Sequence, residues 1–120
     1  LLRTTAHGPI AHVADPLVDV RWGKQSHYRE RFDLTAGGLE WMLDRYPEFA
    51  DDRRGYARIA GQIAFARMAM GERREGLRWL GRTVRHDLLQ PRAYLALAVG
   101  AGVVSPATVL DRLNRRGRGI

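Results

Sequence analysis

The sequence predicts a mainly α-helical protein, a small helical bundle preceded by a short β-hairpin. From Thr35 onward, apolar residues recur every three or four positions, which is the period of a helix with one buried face. Proline, glycine and capping residues divide this part into successive segments of helical length. Before it, the apolar run Ile10–Val13 and the alternating run Leu17–Trp22 flank the turn signal Asp15-Pro16, as two paired strands would.

The predicted hairpin ends in a polar loop, and this loop is the first feature that bears on function. Along Leu17–Trp22, the apolar residues Val18, Val20 and Trp22 share one face. The loop Gly23–His27 follows directly, and a strand that delivers a polar loop is a common way to position site residues. Two short strands alone are marginally stable in water, so the hairpin needs a larger sheet, or the helices behind it, to cover its apolar face.

Capping and breaking residues bound the first two predicted helices. Thr35 is a candidate N-cap of the first helix, and Pro47 ends it. The pair Asp51-Asp52 caps a second helix from about Arg53 to Met70, which stops at Gly71. The inward residues by helical spacing are Leu39, Met42, Leu43 and Tyr46 in the first helix and Tyr56, Ile59, Ala60, Ile63, Ala64 and Met70 in the second.

The third predicted helix, from about Arg73 to His86, forms a hairpin with the second. Gly76 and Gly81 lower its helix propensity by about 1 kcal/mol each relative to alanine, and a close approach to the second helix would offset this. The stop at Gly71, the short turn, the small Gly76 and the apolar Leu80 resemble one degenerate tetratricopeptide repeat. Because stacked arrays need about three repeats, we expect one helical hairpin and not an array. The inward residues by spacing are Leu77, Leu80 and Val84.

Two shorter helices complete the predicted bundle. Pro91 is placed as the first residue of a fourth helix that runs to about Val99. Ser105 and Pro106 form an N-cap and first-turn pair for a fifth helix, which ends near Arg115. No low-complexity linker separates these segments, so we expect the helices to pack together. The inward residues of the fifth helix are Val109, Leu110 and Leu113.

Composition and charge exclude several classes of site. The chain has no cysteine, so it forms neither disulfides nor thiolate metal sites. Its net charge is +7, but the basic residues are spread along the helices between acidic ones, and a nucleic-acid site needs a contiguous basic face. We therefore expect no nucleic-acid partner. The longest apolar run, Leu95–Val104, is short beside the roughly 20 residues of a membrane helix, so we expect a cytoplasmic protein.

One stretch carries a family resemblance. The run GPIAHVADPLVDVRW, followed by a glycine and a Ser-His pair, resembles the end of the catalytic domain in bacterial family 2 glycosyltransferases, where a helical tail follows. The resemblance implies that residues 1–33 are the end of that domain, with the hairpin a remnant of an α/β fold, and that 34–120 are a helical C-terminal domain. It implies that the nucleotide-binding half and the acidic residues of the site lie upstream of Leu1, so that this fragment alone is inactive.

The resemblance also implies roles for the loop after the second strand. In such a parent enzyme, His27 would help to hold a divalent Mg²⁺ or Mn²⁺ beside the nucleotide diphosphate. Arg21 and Lys24 would meet the phosphates of the nucleotide-sugar donor. Trp22 would stack on a sugar, and Ser26 would lie beside the substrate. We expect no cofactor for the fragment alone.

Each of these residues also has a simpler interpretation. His27 has no identifiable carboxylate partner in this chain, and a lone histidine at this position is also typical of an exposed surface loop. Arg21 and Lys24 are also typical of the charges that protect the edge of a sheet. Trp22 is large and apolar enough to pack against the helices instead of binding a sugar.

Two functions therefore remain open from the sequence. The first is the C-terminal part of a glycosyltransferase that moves a sugar from a nucleotide-sugar donor to an acceptor hydroxyl. The second is a non-catalytic, tetratricopeptide-like interaction module that binds a protein partner on its helices. The coding sequence upstream of Leu1 discriminates between them, since a reading frame that continues into alternating strands and helices favours the enzyme.

Overall fold

A computed structural model of the chain describes residues 31–115, with 114 and 115 by backbone alone, together with 8, 9, 11 and 13–15. In residues 31–115 the chain forms a helical bundle, which confirms the mainly α prediction. Its elements are α1 (Phe32–Arg45), a 3-10 helix (Pro47–Ala50), α2 (Arg53–Ala69), α3 (Arg73–His86), α4 (Pro91–Gly100) and α5 (Pro106–Arg115). Most of the predicted β-hairpin lies outside the described residues, and the division of the chain at 33/34 stays a prediction.

The second helix, α2, is the centre of the bundle. It packs against α1, α3 and α4, so most of its circumference is covered. Small residues on several of its faces allow these neighbours to approach closely, and the larger Ile63 and Phe65 fill the spaces between them. The buried residues of α2 are Ala57, Ala60, Gly61, Ile63, Ala64, Phe65, Ala66 and Met68. The inward face predicted for this helix is therefore confirmed at its centre.

The ends of α2 follow the predicted capping chemistry. Asp52 is the N-cap, and its Oδ1 accepts hydrogen bonds from the backbone N–H groups of Arg54 and Gly55 at 3.1 and 3.0 Å. After the last turn, Gly71 has φ +80°, which is the left-handed conformation that stops a helix and that glycine adopts without strain.

The predicted start of α1 is wrong. The helix begins at Phe32, three residues before the predicted cap, and Thr35 lies inside it with its Oγ1 donating to the carbonyl oxygen of Arg31 at 3.2 Å. The reason is a tertiary contact: the ring of Phe32 meets that of Phe65 edge to face, with 6.0 Å between centroids. This contact holds the first turn against the core without a side-chain cap. The end of α1 at Arg45, before Pro47, is as predicted.

The third helix is antiparallel to α2 and presents a slightly different face from the one predicted. Leu80 is buried, as predicted, but Leu77 is 54% exposed and the prediction for it is wrong. The buried face of α3 instead contains Gly76, Trp79, Leu80 and Thr83. The hydroxyl of Thr83 donates to the carbonyl oxygen of Trp79 at 2.9 Å, so this buried polar group is satisfied.

The glycines of α3 differ from each other. A Cβ at Gly76 would lie 2.8 Å from Cγ and Sδ of Met68 on α2, which confirms the predicted close approach there. A Cβ at Gly81 would meet nothing within 4 Å, so the same prediction for Gly81 is wrong, and its position on the open face of α3 explains why. Met68 also contacts Gly100, and its flexible side chain fills the space where α2, α3 and α4 meet.

The last two helices begin as predicted. Pro91 is at the start of α4, and Ser105 caps α5 by accepting a hydrogen bond from the N–H of Thr108 at 3.2 Å. Val109 of α5 is buried and joins the core. Among the described helices, none is both long and apolar enough to cross a membrane.

Candidate functional site: a groove between α1 and α3

The described part of the chain forms a groove of about 660 Å³ over α2, with α1 on one side and α3 on the other. Tyr56 and Arg67 of α2 lie on its floor, about 16 Å apart along the helix at 1.5 Å per residue. The 3-10 helix precedes α2 and contributes Pro47 and Phe49 at the Tyr56 end. The groove therefore spans much of the length of α2 and is formed by four different elements.

A three-residue ion-pair cluster fixes the Arg67 end of the groove. The guanidinium of Arg67 donates to both carboxylate oxygens of Glu40 on α1, from Nε at 3.0 Å and from Nη2 at 2.6 Å. Its Nη1 donates to Glu72 in the turn before α3 at 2.5 Å. The hydrogen bonds to Glu40 and Glu72, in that order of effect, raise the pKa of Arg67 above its usual value. This cluster ties α1 to the α2–α3 turn, and its two carboxylates compensate the positive charge of Arg67.

On the α1 side, the groove presents an exposed tryptophan. Trp41 is 63% exposed although it is among the largest apolar side chains of the chain. Its ring meets that of Tyr46 edge to face, with 6.4 Å between centroids, and this contact restricts its orientation. Asp44, one turn further along α1, also lines the groove and is exposed. Trp41 thus offers a large apolar surface that the described core does not use.

On the α3 side, a second tryptophan is covered by an arginine. Trp79 is buried to 9% exposure, and the guanidinium of Arg82 lies over its ring, 4.4 Å from the centroid. Such stacking leaves the in-plane N–H donors of the guanidinium available to a ligand. One turn earlier, Arg78 donates to Glu75 at 3.0 Å in an exposed ion pair. The arginines of this wall therefore differ, since Arg78 is paired and Arg82 is stacked.

Beside Tyr56 lies a histidine at the end of α3, which contacts the Tyr56 ring but does not line the groove. The ring of His86 lies 4.3 Å from that of Tyr56, at an interplanar angle of 32°. Nδ1 of His86 is 2.9 Å from the carbonyl oxygen of Arg82, and because a carbonyl only accepts, Nδ1 carries the proton. This bond fixes the imidazole against the ring of Tyr56.

The residues predicted to bind the donor lie outside the described residues. This holds for Arg21, Trp22, Lys24 and Ser26, and for the predicted metal ligand His27. Their roles therefore stay predictions. Within residues 31–113, no group of three or more His, Asp or Glu side chains is arranged to hold a metal ion.

The groove residues Trp41, Trp79 and Arg82 were not singled out from the sequence. A usable signal existed for Trp41, because it falls outside the apolar stripe that runs through Leu39, Met42 and Leu43. An aromatic residue on the polar side of an amphipathic helix indicates an interaction surface. No comparable signal existed for the stacking of Arg82 on Trp79, since it depends on side-chain conformation.

A second exposed apolar surface lies on and before α4, away from the groove. It is formed by Leu88, Leu89, Tyr94 and Leu97, and the hydroxyl of Tyr94 donates to the carbonyl oxygen of Leu88 at 2.8 Å.

Comparison of the chain with protein family models, with curated proteins and with solved structures finds no match.

Proposed function

We propose that residues 31–115 are a non-catalytic protein-interaction module that binds a peptide segment of a partner protein in the groove between α1 and α3. The observation that carries this proposal is the exposed Trp41 at the side of a concave groove. Exposed aromatic residues are enriched at binding surfaces because they bury a large area with little loss of conformational freedom.

The size and rigidity of the groove support the same proposal. Its volume of about 660 Å³ accommodates a few side chains of a ligand. The Arg67 cluster connects α1 to the turn before α3, so the two sides of the groove are held at a fixed separation. A preformed groove binds with a smaller entropic cost than one that must be ordered by its ligand.

Peptide display tests the proposal. Random 12-residue peptides are selected on the full chain, and the enriched peptides are synthesised and measured by fluorescence anisotropy. We expect peptides whose affinity falls at least about tenfold in Trp41→Ala, the usual result for a central aromatic anchor. Leu77→Ala is the matched control, because it removes an exposed apolar side chain on the neighbouring helix and should leave affinity unchanged. If no enriched peptide is sensitive to Trp41→Ala, the proposal fails.

We also propose that this module is the helical C-terminal part of a cytoplasmic family 2 glycosyltransferase. The run from Gly8 to Trp22, which lies upstream of the module, supports this proposal through its resemblance to the end of that catalytic domain. In that enzyme Arg21, Trp22, Lys24 and Ser26 would bind the nucleotide-sugar donor, and His27 would help to hold Mg²⁺ or Mn²⁺.

The test of the enzyme proposal is sugar transfer by a full-length parent protein. At saturating metal, His27→Ala should lower turnover by well over tenfold, because a lost ligand misplaces the ion that stabilises the leaving diphosphate. The melting temperature of the same variant should equal that of the wild type. Unchanged transfer removes His27 from the site, and an upstream start codon in place of a long reading frame removes the enzyme proposal itself.

A further inference from the structure

The groove carries two charged side chains that make no ion pair with any described residue, one on each side. On α3, Arg82 is stacked on Trp79 and no described carboxylate lies within ion-pair distance of it. On α1, Asp44 is exposed and likewise makes no ion pair among the described residues. The other groove charges differ: Glu40 is bound to Arg67, and Glu75 is bound to Arg78.

Asp44 and Arg82 lie in the same half of the groove. Asp44 is three residues before Pro47, so it lies toward the 3-10 helix. Arg82 is one helical turn before His86, whose ring stacks on Tyr56, so it lies toward the same end. Tyr56, Phe49 and Pro47 provide apolar surface in this half. A guanidinium and a carboxylate thus flank an apolar floor.

From this arrangement we infer that the occupant is a peptide segment with an apolar anchor residue between an acidic and a basic residue. The anchor packs on the apolar floor beside Trp41, the acidic side chain meets Arg82 and the basic side chain meets Asp44. This inference rests on the proposed peptide-binding function and specifies its ligand. Opposite charges on opposite sides also fix the direction in which the peptide lies, because the reversed peptide places like charges together.

Arg82 is well prepared to bind a carboxylate. Its guanidinium is already oriented by the ring of Trp79, so less conformational entropy is lost when it forms charge-assisted hydrogen bonds. Arg74 lies on the same helix, is exposed and does not line the groove, which makes it a matched control for charge effects that are not specific to the site.

The test is peptide selection on charge-reversed variants. The same library of random 12-residue peptides is selected on the wild type, on Arg82→Glu, on the double variant Arg82→Glu with Asp44→Arg, and on Arg74→Glu. We expect wild-type peptides with an acidic and a basic residue on either side of an aromatic or leucine residue. Arg82→Glu should lower the affinity of these peptides about tenfold, and Arg74→Glu should lower it less than twofold. The double variant should select peptides with the reversed charge order. Circular dichroism melting confirms that each variant is folded.

The outcomes separate this inference from the proposed function. Peptides that depend on Trp41 but show no charge order overturn the inference and leave the interaction module standing. Absence of any Trp41-dependent peptide overturns both. Uniformly acidic peptides overturn the inference. The inference is also overturned if the chain binds vesicles of equal phosphatidylglycerol and phosphatidylcholine and Arg82→Glu abolishes this binding. The groove wall would then be a general anion-binding surface.

Discussion

Replacing Gly61 with alanine tests the packing of α2 against α4, on which the bundle depends. Gly61 is buried in the middle of α2, and a Cβ there would lie 2.8 Å from Cβ of Arg92 and 3.5 Å from Cγ2 of Thr83. Ordinary carbon–carbon contacts are about 3.5–4.0 Å. Because the Cβ of Arg92 is attached directly to its backbone, α4 must move to admit the added methyl group.

The magnitude follows from comparing Gly61 with Gly81. Both are interior residues of a helix, so alanine gains about 0.5–1 kcal/mol of backbone stabilisation at either position. At Gly81 nothing lies within 4 Å of the added Cβ, so Gly81→Ala should be stabilising by that amount. At Gly61 the overpacking cost of about 1–3 kcal/mol opposes the gain. The two variants should therefore differ in free energy of unfolding by about 1–3 kcal/mol.

The assay is urea unfolding of both variants and the wild type, followed by circular dichroism at 222 nm. Thermal melting should separate Gly61→Ala from Gly81→Ala by at least about 4 °C, since 1 kcal/mol shifts the melting temperature of a domain of this size by about 4–8 °C. Equal stability of the two variants would show that α4 does not contact α2 at Gly61.

Four further substitutions test the packing of α3, the cap of α2 and the Arg67 ion pair by the same unfolding assay. Leu80→Ala should lower the free energy of unfolding by about 2–5 kcal/mol because Leu80 is buried. Leu77→Ala should lower it by less than about 0.5 kcal/mol because Leu77 is exposed, and equal losses would show that the buried face of α3 is assigned wrongly. Asp52→Ala should cost about 1 kcal/mol through loss of the N-cap of α2, and no loss would mean that the cap does not form. Glu40→Gln should lower the free energy of unfolding by about 1–2 kcal/mol, because it removes a charged partner of Arg67. An unchanged free energy of unfolding would show that this ion pair does not stabilise the fold.

Helix positions were predictable from the sequence because their signals are local. Asp52, Gly71, Pro91 and Ser105 act through their own backbone or through hydrogen bonds to residues two or three positions away. The start of α1 was not predictable in this way. It depends on the contact of Phe32 with Phe65, which are distant in sequence.

The faces of the helices were only partly predictable, for a related reason. A helical wheel assigns Leu77 and Leu80 of α3 to one apolar side, but in the structure Trp79 and Leu80 are buried and Leu77 is exposed. The groove was less predictable still. It combines Trp41 and Asp44 of α1 with Arg82 of α3, and only tertiary packing brings these two helices to the same groove.

Binding of a peptide in the groove between α1 and α3 is tested most directly by the indole N–H signals of the three tryptophans. The ¹⁵N-labelled full chain is titrated with a peptide obtained by display, and each indole signal is assigned with a tryptophan-to-phenylalanine variant. If the peptide binds in the groove, the Trp41 signal should shift during the titration, while the amide signals of Leu88 and Tyr94 should stay unchanged. Shifts at Leu88 and Tyr94 with an unmoved Trp41 signal would contradict binding in the groove and place the binding surface on the exposed face of α4.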